Sequence, residues 1–394
     1  QVKDIVLRQQ QNFDEIYEQI KKQLIEEGIE ITEESQLTSN ELAEVTDYFT
    51  ESVAPRIFPI VISSMRPFPN LNDGQIYLAV KLKGKNMKVN YAIVNVPSHV
   101  LSRFYILKHS QGLNRVLLLD DVIRCNLLNL FKSTNALEVE AYTIKLSRDA
   151  ELDLEESDDL SMVEKVAKSV KLRKKGIPTR FIYDENIPSD LLKLLITKLN
   201  IHKAQAIPGG KYHNFKDFIN FPVLGKKNLI YKSILPKRIE RLENSHSILH
   251  HLLKQDELIA YPYQSFNYIS KLLIEASISP AVKEINITLY RLARTSAVAN
   301  ALINAVKNGK RVRVLTELRA RFMEKANMEW SKRLREEGVE IMDSIPNMKV
   351  HSKLLQIKLE HKGKNKYIGH IGSGNFNEDT AFFLVSHNLF TLSQ

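Results

Sequence analysis

The sharpest chemical signal in the sequence is a histidine and a lysine separated by one residue, His351 and Lys353. They open a predicted β-strand, in which residues two apart point to the same face, so both side chains should project together. A neutral imidazole is a good nucleophile towards phosphorus, and a neighbouring ammonium neutralises charge on the transferring group. Across a predicted hairpin, Gly372–Asn375 adds glycines, which let backbone approach an anion, and the polar donors Ser373 and Asn375. The pattern indicates phosphoryl chemistry; the alternative is an exposed strand histidine beside a tight turn.

Three arginines follow the ends of two other predicted strands. Arg291 lies at the end of one strand, and Arg319 and Arg321 lie just past the next. The carboxyl ends of strands form the ligand-binding edge of an α/β sheet, and guanidinium groups fork onto phosphate oxygens. We therefore expect phosphate binding at this edge; a solvated basic edge or a set of salt-bridge partners is the alternative.

A third segment, Pro208–Phe218, mixes glycines, aromatic residues and cations. Two interpretations stay open for it, an anion-contacting loop and a buried turn between domains. We interpret its His213 as structural. No Gly-x-x-x-x-Gly-Lys-Ser/Thr phosphate loop occurs, which argues against a P-loop kinase. The pair His250 and His251 lacks partners at metal-ligand spacing.

The first half of the chain must supply a scaffold for these residues. Helical periodicity predicts a long amphipathic helix over residues 1–30, and a second helix starts near Thr38–Glu41. From about residue 50 the pattern becomes that of an α+β domain, with a hairpin turn at Lys83–Asn86. Its other predicted elements are strands Ile76–Leu82, Val89–Val96 and Leu137–Leu146 and helices Leu118–Phe131, Ser157–Lys171 and Ser189–Leu199.

The second half alternates strands with helices, which predicts βαβ units and a largely parallel sheet. The predicted helices are Tyr263–Ala276, Ala297–Lys307 and Glu324–Glu337. The predicted strands are Glu284–Tyr290, Arg311–Glu317, Val339–Asp343, Lys353–Leu359 and Lys366–Gly372.

Bulk composition limits the class of protein. A chain of 394 residues should form two or three domains. The net charge of +10 attracts polyanions, but it does not choose among nucleic acid, anionic lipid, nucleotides and inorganic polyphosphate. The single cysteine, Cys125, excludes an intrachain disulfide and fits a reducing cytoplasm. No apolar run approaches the roughly 18 residues that span a bilayer. The chain does not begin with Met, so we expect a segment of a longer protein.

At these residues the sequence resembles the polyphosphate kinases that work through a phosphohistidine, a family of the phospholipase D-like superfamily. The Pro208–Pro222 run is long and highly specific, and the matching stretches occur in the family's order. They are Ser147–Glu151, Pro208–Pro222, Tyr290-Arg291, Glu317–Phe322, Lys349–Leu354 and Gly372–Glu378.

The resemblance implies a reversible transfer of the ATP γ-phosphate onto polyphosphate, with Mg²⁺ and ATP or ADP as substrate. His351 matches the phosphorylated histidine, and Lys353 and Asn375 match the superfamily's His-x-Lys and downstream Asn positions. Arg291 and Arg321 match arginines of the phosphate and Mg²⁺ region. Since a guanidinium has no lone pair for a metal, we interpret both as gripping phosphate oxygens that bind Mg²⁺.

The resemblance also implies a mixed multidomain architecture. Residues 1–48 would end an N-terminal helical domain, 49–235 would form an α+β head domain, and 236–394 would form the first of two α/β phospholipase D-like domains, with the second copy absent. The family suggests a homo-oligomer without a specific nucleic acid partner or an integral membrane span. We expect a cytoplasmic protein, with peripheral membrane association left open.

The chain departs from the family after Glu378. Its Thr380–Ser386 stands where Thr-Ala-Arg-x-Tyr-x-Asp is usual, so that Phe382, Leu384 and Ser386 replace Arg, Tyr and Asp. Loss of these groups removes charges and an ATP-associated tyrosine from beside the phosphoryl site. The alternative function is therefore a degenerate or truncated relative that binds polyphosphate or nucleotide without efficient turnover.

Two further departures lie elsewhere. Met323 and Lys325 stand where acidic residues are usual near Arg321. Lys358 occupies the position of the aspartate in the nuclease and lipase motif, which argues against a phospholipase or nuclease. Polyphosphate kinases also lack that aspartate.

Overall fold

The two halves of the chain bury their apolar residues in separate cores. The computed structural model describes residues 2–62, 68–84, 89–108, 112–149, 161–173, 176, 178–321, 323–343 and 348–393. Unit 1 comprises Gln1–Asp149 with Lys174–Tyr231, and unit 2 comprises Ala150–Arg173 with Lys232–Gln394. No helix in the described ranges is both long enough and apolar enough to cross a membrane.

The described residues of unit 1 form nine strands and five α-helices; a sixth α-helix before residue 210, α5, groups with unit 2. In chain order the elements are α1 Val2–Glu26, β1 Ile29–Thr32, α2 Ser39–Tyr48, β2 Ile60–Ile62, β3 Ile76–Gly84, β4 Val89–Asn95, β5 Phe104–Ile106, β6 Asn114–Leu118, α3 Leu119–Cys125, α4 Leu127–Leu130, β7 Ala136–Arg148, α5 Met162–Arg173, β8 Pro178–Asp184, α6 Ser189–Lys198 and β9 Ala206–Gly209.

The strands of unit 1 form two sheets. Six strands lie in the order β2-β4-β3-β7-β8-β9, antiparallel except for the last pair, and three lie in the order β1-β6-β5. The predicted pairing of β3 with β4 is confirmed, although residues 85–88 of its turn lie outside the described residues. Because side chains alternate along a strand, β3 faces two cores. Ile76, Leu78 and Val80 lie in one, while Tyr77 and Ala79 lie in the other.

Three predictions in unit 1 need correction. The long helix ends at Glu26 rather than 30, because Gly28 takes a left-handed φ of +80°, a conformation that ends helices. The next residues form β1, which pairs with β6, so the N-terminal segment is not entirely helical. The single helix over Leu118–Phe131 is wrong, because non-helical backbone at Asn126 divides it into α3 and α4. The predicted helix Ser157–Lys171 is α5, and its residues 157–160 lie outside the described residues.

The second predicted helix start is confirmed as α2. Thr38 is its N-cap: the Thr38 hydroxyl accepts from the Glu41 backbone N–H, and the Glu41 carboxylate accepts from the Thr38 backbone N–H. This reciprocal capping box satisfies backbone donors that a helix start otherwise leaves unpaired.

Unit 2 is a sheet with helices packed on it. Beyond α5 its elements are α7 Glu240–Glu243, α8 Ile248–Leu252, β10 Glu257–Tyr261, α9 Asn267–Ile278, β11 Val282–Leu289, α10 Ala297–Lys307, β12 Arg311–Thr316, α11 Glu324–Glu336, β13 Glu340–Asp343, β14 Lys353–His361, β15 Lys364–Gly372, α12 Glu378–Ala381 and β16 Ser386–Ser393. Ile285, Ile357, Leu272 and Leu302 are fully buried in its core.

The sheet of unit 2 has seven strands in the order β10-β16-β15-β14-β11-β12-β13. Among the described residues only β11, β12 and β13 run parallel to one another, and every other strand pairing of this sheet is antiparallel. The prediction of a largely parallel sheet is therefore wrong. The physical reason is the tight turn between β14 and β15, where Lys362 and Gly363 both take positive φ, at 52° and 72°. A two-residue turn of this kind joins antiparallel strands.

Core packing in unit 2 gives a stability test. Ile285→Ala should lower the free energy of unfolding by about 3 kcal/mol, since a buried large-to-small change removes apolar burial and leaves a cavity. Leu258→Ala is the matched control, because its side chain is 60% exposed on β10 of the same sheet. Chemical denaturation followed by fluorescence measures both, since the sole tryptophan, Trp330, is buried in unit 2. Equal losses would contradict the assigned core.

Candidate functional site

The predicted site residues of unit 2 gather at one edge of the seven-stranded sheet. The strand registers place the carboxyl ends of β11, β12 and β15 beside the amino ends of β14 and β16. Arg291 follows β11, His351 precedes β14, and Asn375 follows β15. The antiparallel strands thus bring to this edge residues that lie far apart in the chain.

His351 and Lys353 are brought together as the spacing predicts. Lys353 is only 4% exposed, and its Nζ lies 3.0 Å from Nδ1 of the exposed His351. Lys353 also donates to the His351 backbone oxygen. An ammonium has no acceptor, so the ring nitrogen accepts this hydrogen bond, which requires an imidazole with a lone pair on Nδ1.

Tyr290 packs against both residues, a contact that sequence reasoning missed. Its ring meets the His351 ring edge-on, with centroids 4.9 Å apart, and the Lys353 Nζ lies 5.1 Å from its centroid. A cation near an aromatic face is stabilised by the ring quadrupole. The tyrosine therefore helps to bury the lysine; its place directly before Arg291 was the available signal.

The electrostatics of the edge keep His351 neutral. Burial, followed by the charges of Lys353 and Arg291, holds the pKa of His351 below its ordinary value of 6.5. Burial and Arg291 also lower the pKa of Lys353. An imidazole that is neutral at pH 7 retains the lone pair that a nucleophile needs.

Arg291 carries an unsatisfied donor. Its guanidinium carbon lies 5.5 Å from the Tyr290 ring centroid, and its Nε is buried without a hydrogen-bond partner among the described residues. A buried donor without an acceptor costs about 1–3 kcal/mol. An anionic ligand with free oxygens would satisfy it.

Arg319, which the sequence offered either as a phosphate ligand or as a salt-bridge partner, is a salt-bridge partner in the structure. Its Nε lies 3.1 Å from a carboxylate oxygen of Glu317, and it donates to the Met348 backbone oxygen. Arg321 is exposed in the segment after β12, at the same sheet edge.

The fully buried Glu317 is a positioning residue that sequence reasoning missed. Its carboxylate accepts the backbone N–H groups of Arg319 and Val350, both at 2.9 Å. Burial raises the pKa of this carboxyl, but these N–H groups and the Arg319 guanidinium outweigh burial and hold the pKa below 4.5. The contact with Val350 anchors the backbone directly before His351. An acidic residue directly after a strand was the available signal.

The glycine-rich segment packs tightly against β16. A Cβ on Gly372 would lie 2.6 Å from Oδ1 of Asn388, and one on Gly374 would lie 2.5 Å from the Ser386 Cβ. Close packing against a strand that the sequence did not reveal therefore explains both glycines.

The polar residues of the glycine-rich segment differ in their partners. Ser373 exchanges hydrogen bonds with the His387 backbone: its own N–H donates at 3.0 Å, and its hydroxyl oxygen accepts the His387 N–H at 3.0 Å. Asn375 keeps a buried Oδ1 without a partner among the described residues. Of the two, Asn375 has the unused hydrogen-bonding capacity.

The altered stretch after Glu378 divides into exposed and buried parts. Phe382 is 73% exposed and Leu384 is also exposed, whereas Ser386 is buried beneath Gly374. A larger side chain at residue 386 would have to fit a close contact, while residues 382 and 384 have open surroundings.

The Pro208–Phe218 segment lies in unit 1 and is largely held by internal contacts. Lys211 pairs with Glu33 at 2.9 Å and Glu34 at 2.5 Å, and the Tyr212 hydroxyl donates to Asp121 at 2.5 Å. Burial first, with a contribution from Glu34, raises the pKa of Asp121 to about 7. These contacts favour a buried turn for Lys211 and Tyr212.

Comparisons with known proteins identify the family of both units. Residues 40–221 match the family described as the polyphosphate kinase middle domain, and residues 247–394 match polyphosphate kinase C-terminal domain 1. A polyphosphate kinase of Vibrio vulnificus strain YJ016 is 38% identical over 98% of this chain and 56% of its own length. That of Escherichia coli K12 is 36% identical, over 98% of this chain and 57% of its own.

A solved structure agrees as well. The crystal structure of polyphosphate kinase from Porphyromonas gingivalis superposes with a TM-score of 0.79 and 32% identity, covering 99% of this chain and 57% of that one. The matches thus place both units in a single protein family. The chain belongs to the polyphosphate kinase family, and it spans little more than half the length of the relatives that it matches.

The neutral state of His351 gives a titration test. ¹⁵N NMR should place the pKa of His351 below 6.5, and both Lys353→Met and Arg291→Gln should raise it by removing a neighbouring positive charge. Lys358→Met, further along β14, is the control and should leave the value unchanged. No rise in either site variant would show that these cations do not act on the ring.

The buried Glu317 gives a pH-dependent stability test. Because its folded pKa lies below the unfolded value, its stabilisation is present above about pH 4.5 and is lost as the pH falls through the folded value. Glu317→Gln should lower the free energy of unfolding at pH 7 by about 1.5–3 kcal/mol, the range for a hydrogen bond to a charged group. Denaturation followed by Trp330 fluorescence should show that the difference in unfolding free energy between wild type and Glu317→Gln becomes smaller at pH 4. Glu340→Gln, which loses an exposed ion pair with Arg311, is the control and should change far less. If that difference did not depend on pH, the stabilising role assigned to the ionised Glu317 carboxylate would be contradicted.

Proposed function

We propose that this chain carries the phosphohistidine site of a polyphosphate kinase, which transfers the ATP terminal phosphate reversibly to inorganic polyphosphate. The observation that carries the proposal is a neutral, exposed His351 beside two cations, of which Arg291 keeps a buried donor unsatisfied. The names of relatives that match nearly the whole chain support the reaction.

In the proposed reaction a ring nitrogen of His351 attacks the γ-phosphorus, and the bond to the β-phosphate oxygen breaks, which releases ADP. A terminal oxygen of the polyphosphate chain then attacks the same phosphorus, and the P–N bond breaks. Lys353 and Arg291 neutralise the equatorial oxygens, and Asn375 orients them. Positioning and charge neutralisation are most of what phosphoryl transfer requires.

Two further residues enter the proposal from the family resemblance. Arg321 would grip phosphate oxygens from the segment after β12, where it is exposed at the same sheet edge. Ser373 would contribute a polar contact, although its hydroxyl already accepts from the His387 backbone. We therefore assign the larger share of binding to the arginines.

The Mg²⁺ that the family implies does not fit direct protein ligation here. Within the described ranges, no group of three or more His, Cys, Asp or Glu side chains could hold a metal ion. The proposed place for Mg²⁺ is on the phosphate oxygens that Arg291 and Arg321 grip. Mg²⁺ commonly binds in this way, through substrate phosphates and retained water.

The architecture of the parent protein belongs to the same proposal. We assign residues 1–48 to a helical domain that includes β1, 49–235 to a head domain, and 236–394 to a phospholipase D-like domain. We also propose a homo-oligomer that works in the cytoplasm, with ATP, ADP and polyphosphate as partners. The match to the family's middle and C-terminal domains supports this division.

A degenerate relative that binds phosphate without turnover is the second candidate. Phe382, Leu384 and Ser386 favour it, because an arginine, a tyrosine and an aspartate of the family pattern are replaced within one short segment. Both candidates predict phosphate binding at the sheet edge, and only the first predicts a covalent intermediate.

The covalent intermediate is the test. Incubation of the full-length parent with Mg²⁺ and ATP or polyphosphate should leave one acid-labile phosphate on His351, detected by mass spectrometry under alkaline conditions. His351→Ala should abolish the label. Lys353→Met should slow labelling by about a hundredfold, as for loss of one preorganised charge-stabilising donor.

Lys358→Met is the control and should label at the wild-type rate. If the parent bound polyphosphate but no label formed on His351, the kinase proposal would fail and the binding-only candidate would remain. Absence of both binding and label would eliminate both candidates.

A further inference from the structure

A cationic pocket lies in unit 1, and all the residues that line it belong to that unit, whereas His351 belongs to unit 2. Its volume is about 420 Å³. It is lined by α1, β7, β8 and the backbone of Gly209 and Gly210. Lys145 from β7 and Arg180 from β8 are its two cations, and Asp14 on α1 is its one carboxylate.

The cations of this pocket form no salt bridge within the part of the chain that the structure describes: no carboxylate lies within 4.0 Å of the Lys145 or Arg180 nitrogens. Lys145 is half-buried, and its ammonium donates to the Asn214 side-chain oxygen. Burial first, then the charges of Lys216 and Arg180, lower the pKa of Lys145, and they outweigh the carboxylate of Asp217, which raises it. A half-buried ammonium repelled by neighbouring cations favours a bound anion.

The floor of the pocket is preorganised. His213 is 8% exposed, and its Nε2 lies 3.0 Å from the Gly210 carbonyl oxygen, which accepts the hydrogen bond. Burial lowers the pKa of His213 to about 4, so the ring is neutral at pH 7. Its Nδ1 is then an acceptor, and it is buried without a partner among the described residues.

Close packing fixes the backbone of this floor. A Cβ on Gly209 would lie 3.0 Å from Ile182 Cγ2 and 3.1 Å from Gln10 Nε2. The aromatic rings of Phe13 and Phe215 pack against each other, with centroids 4.7 Å apart. Within the described residues, the pocket therefore offers a ligand the guanidinium of Arg180, the ammonium of Lys145, which has a neutral hydrogen-bond partner only, and the unpartnered His213 Nδ1.

We propose that this pocket binds a short run of inorganic polyphosphate, gripped by Lys145 and Arg180, at a site additional to His351. The His213 Nδ1 accepts a hydrogen bond from a water on the bound anion or from a protonated phosphate oxygen. The preference for an oligoanion comes from the pocket, since two cations that line one cavity of about 420 Å³ suit several linked phosphates. The choice of polyphosphate rests on the proposed function.

Calorimetric titration of the chain with tripolyphosphate tests the proposal. Wild type should show two sites. Arg180→Gln should weaken one of them about tenfold or more, since a hydrogen bond between charged groups is lost. Lys145→Met should act on the same site, and Arg291→Gln should weaken only the other. Lys193→Met, an exposed lysine on α6 of the same unit, is the control and should change neither. Arg180 is exposed, so its variant should fold even if the Lys145 variant does not.

Each outcome decides the question. An unchanged titration for Arg180→Gln would overturn the proposed binding site in unit 1. Orthophosphate binding as tightly as tripolyphosphate would overturn the proposed preference for an oligoanion. His351→Ala should keep the unit 1 site intact. If His351 in the parent were not labelled, the kinase proposal would fail. The titration with tripolyphosphate would still decide whether the unit 1 pocket binds an oligoanion.

Discussion

The candidate site depends on a buried ammonium that no carboxylate of the described residues balances. Lys353 is almost fully buried, and within the described residues its polar contacts are the ring and backbone of His351, with the Tyr290 face beside it. A buried charge is costly unless it is paired. The sheet edge therefore holds positive charge ready for an anion, and the same charge keeps His351 neutral.

The rest of unit 2 positions that ammonium. The β14 register sets Lys353 beside Gly372, and Gly372 packs on Asn388 of β16. On the other side, Glu317 ties the backbone before His351 to the end of β12. The parallel and antiparallel halves of the sheet thus meet at the histidine. Neither half alone would orient it.

Periodicity and turn signals predicted most elements, because local sequence largely determines them. α10 was predicted to the residue, and the β14–β15 hairpin nearly so. The spacing of His351 and Lys353 was sufficient to predict their contact. The long specific match of Pro208–Pro222 indicated the family, although the chemistry proposed for this chain lies elsewhere. Within that match, Lys211 and Tyr212 hold unit 1 together.

The features that were missed depend on contacts between distant residues. Exposed and buried residues alternate along the first half of β16, but the buried positions include the polar Ser386 and Asn388, so the sequence did not predict a strand. The role of Glu317 follows from its approach to Val350, 33 residues further along. The sequence predicted that the glycines bring backbone close to an anion, whereas in the structure they allow close packing against β16. Long-range packing of this kind leaves no periodic signal in a single sequence.

The central strand of unit 1 has a consequence for how this family can change length. Both faces of β3 are buried, with alternate side chains assigned to different cores. Inserting or deleting one residue within β3 would reverse every side chain beyond that point and send each to the opposite core. Length variation among relatives should therefore avoid this strand, and alignments that place a gap within Ile76–Leu82 should be treated as misaligned.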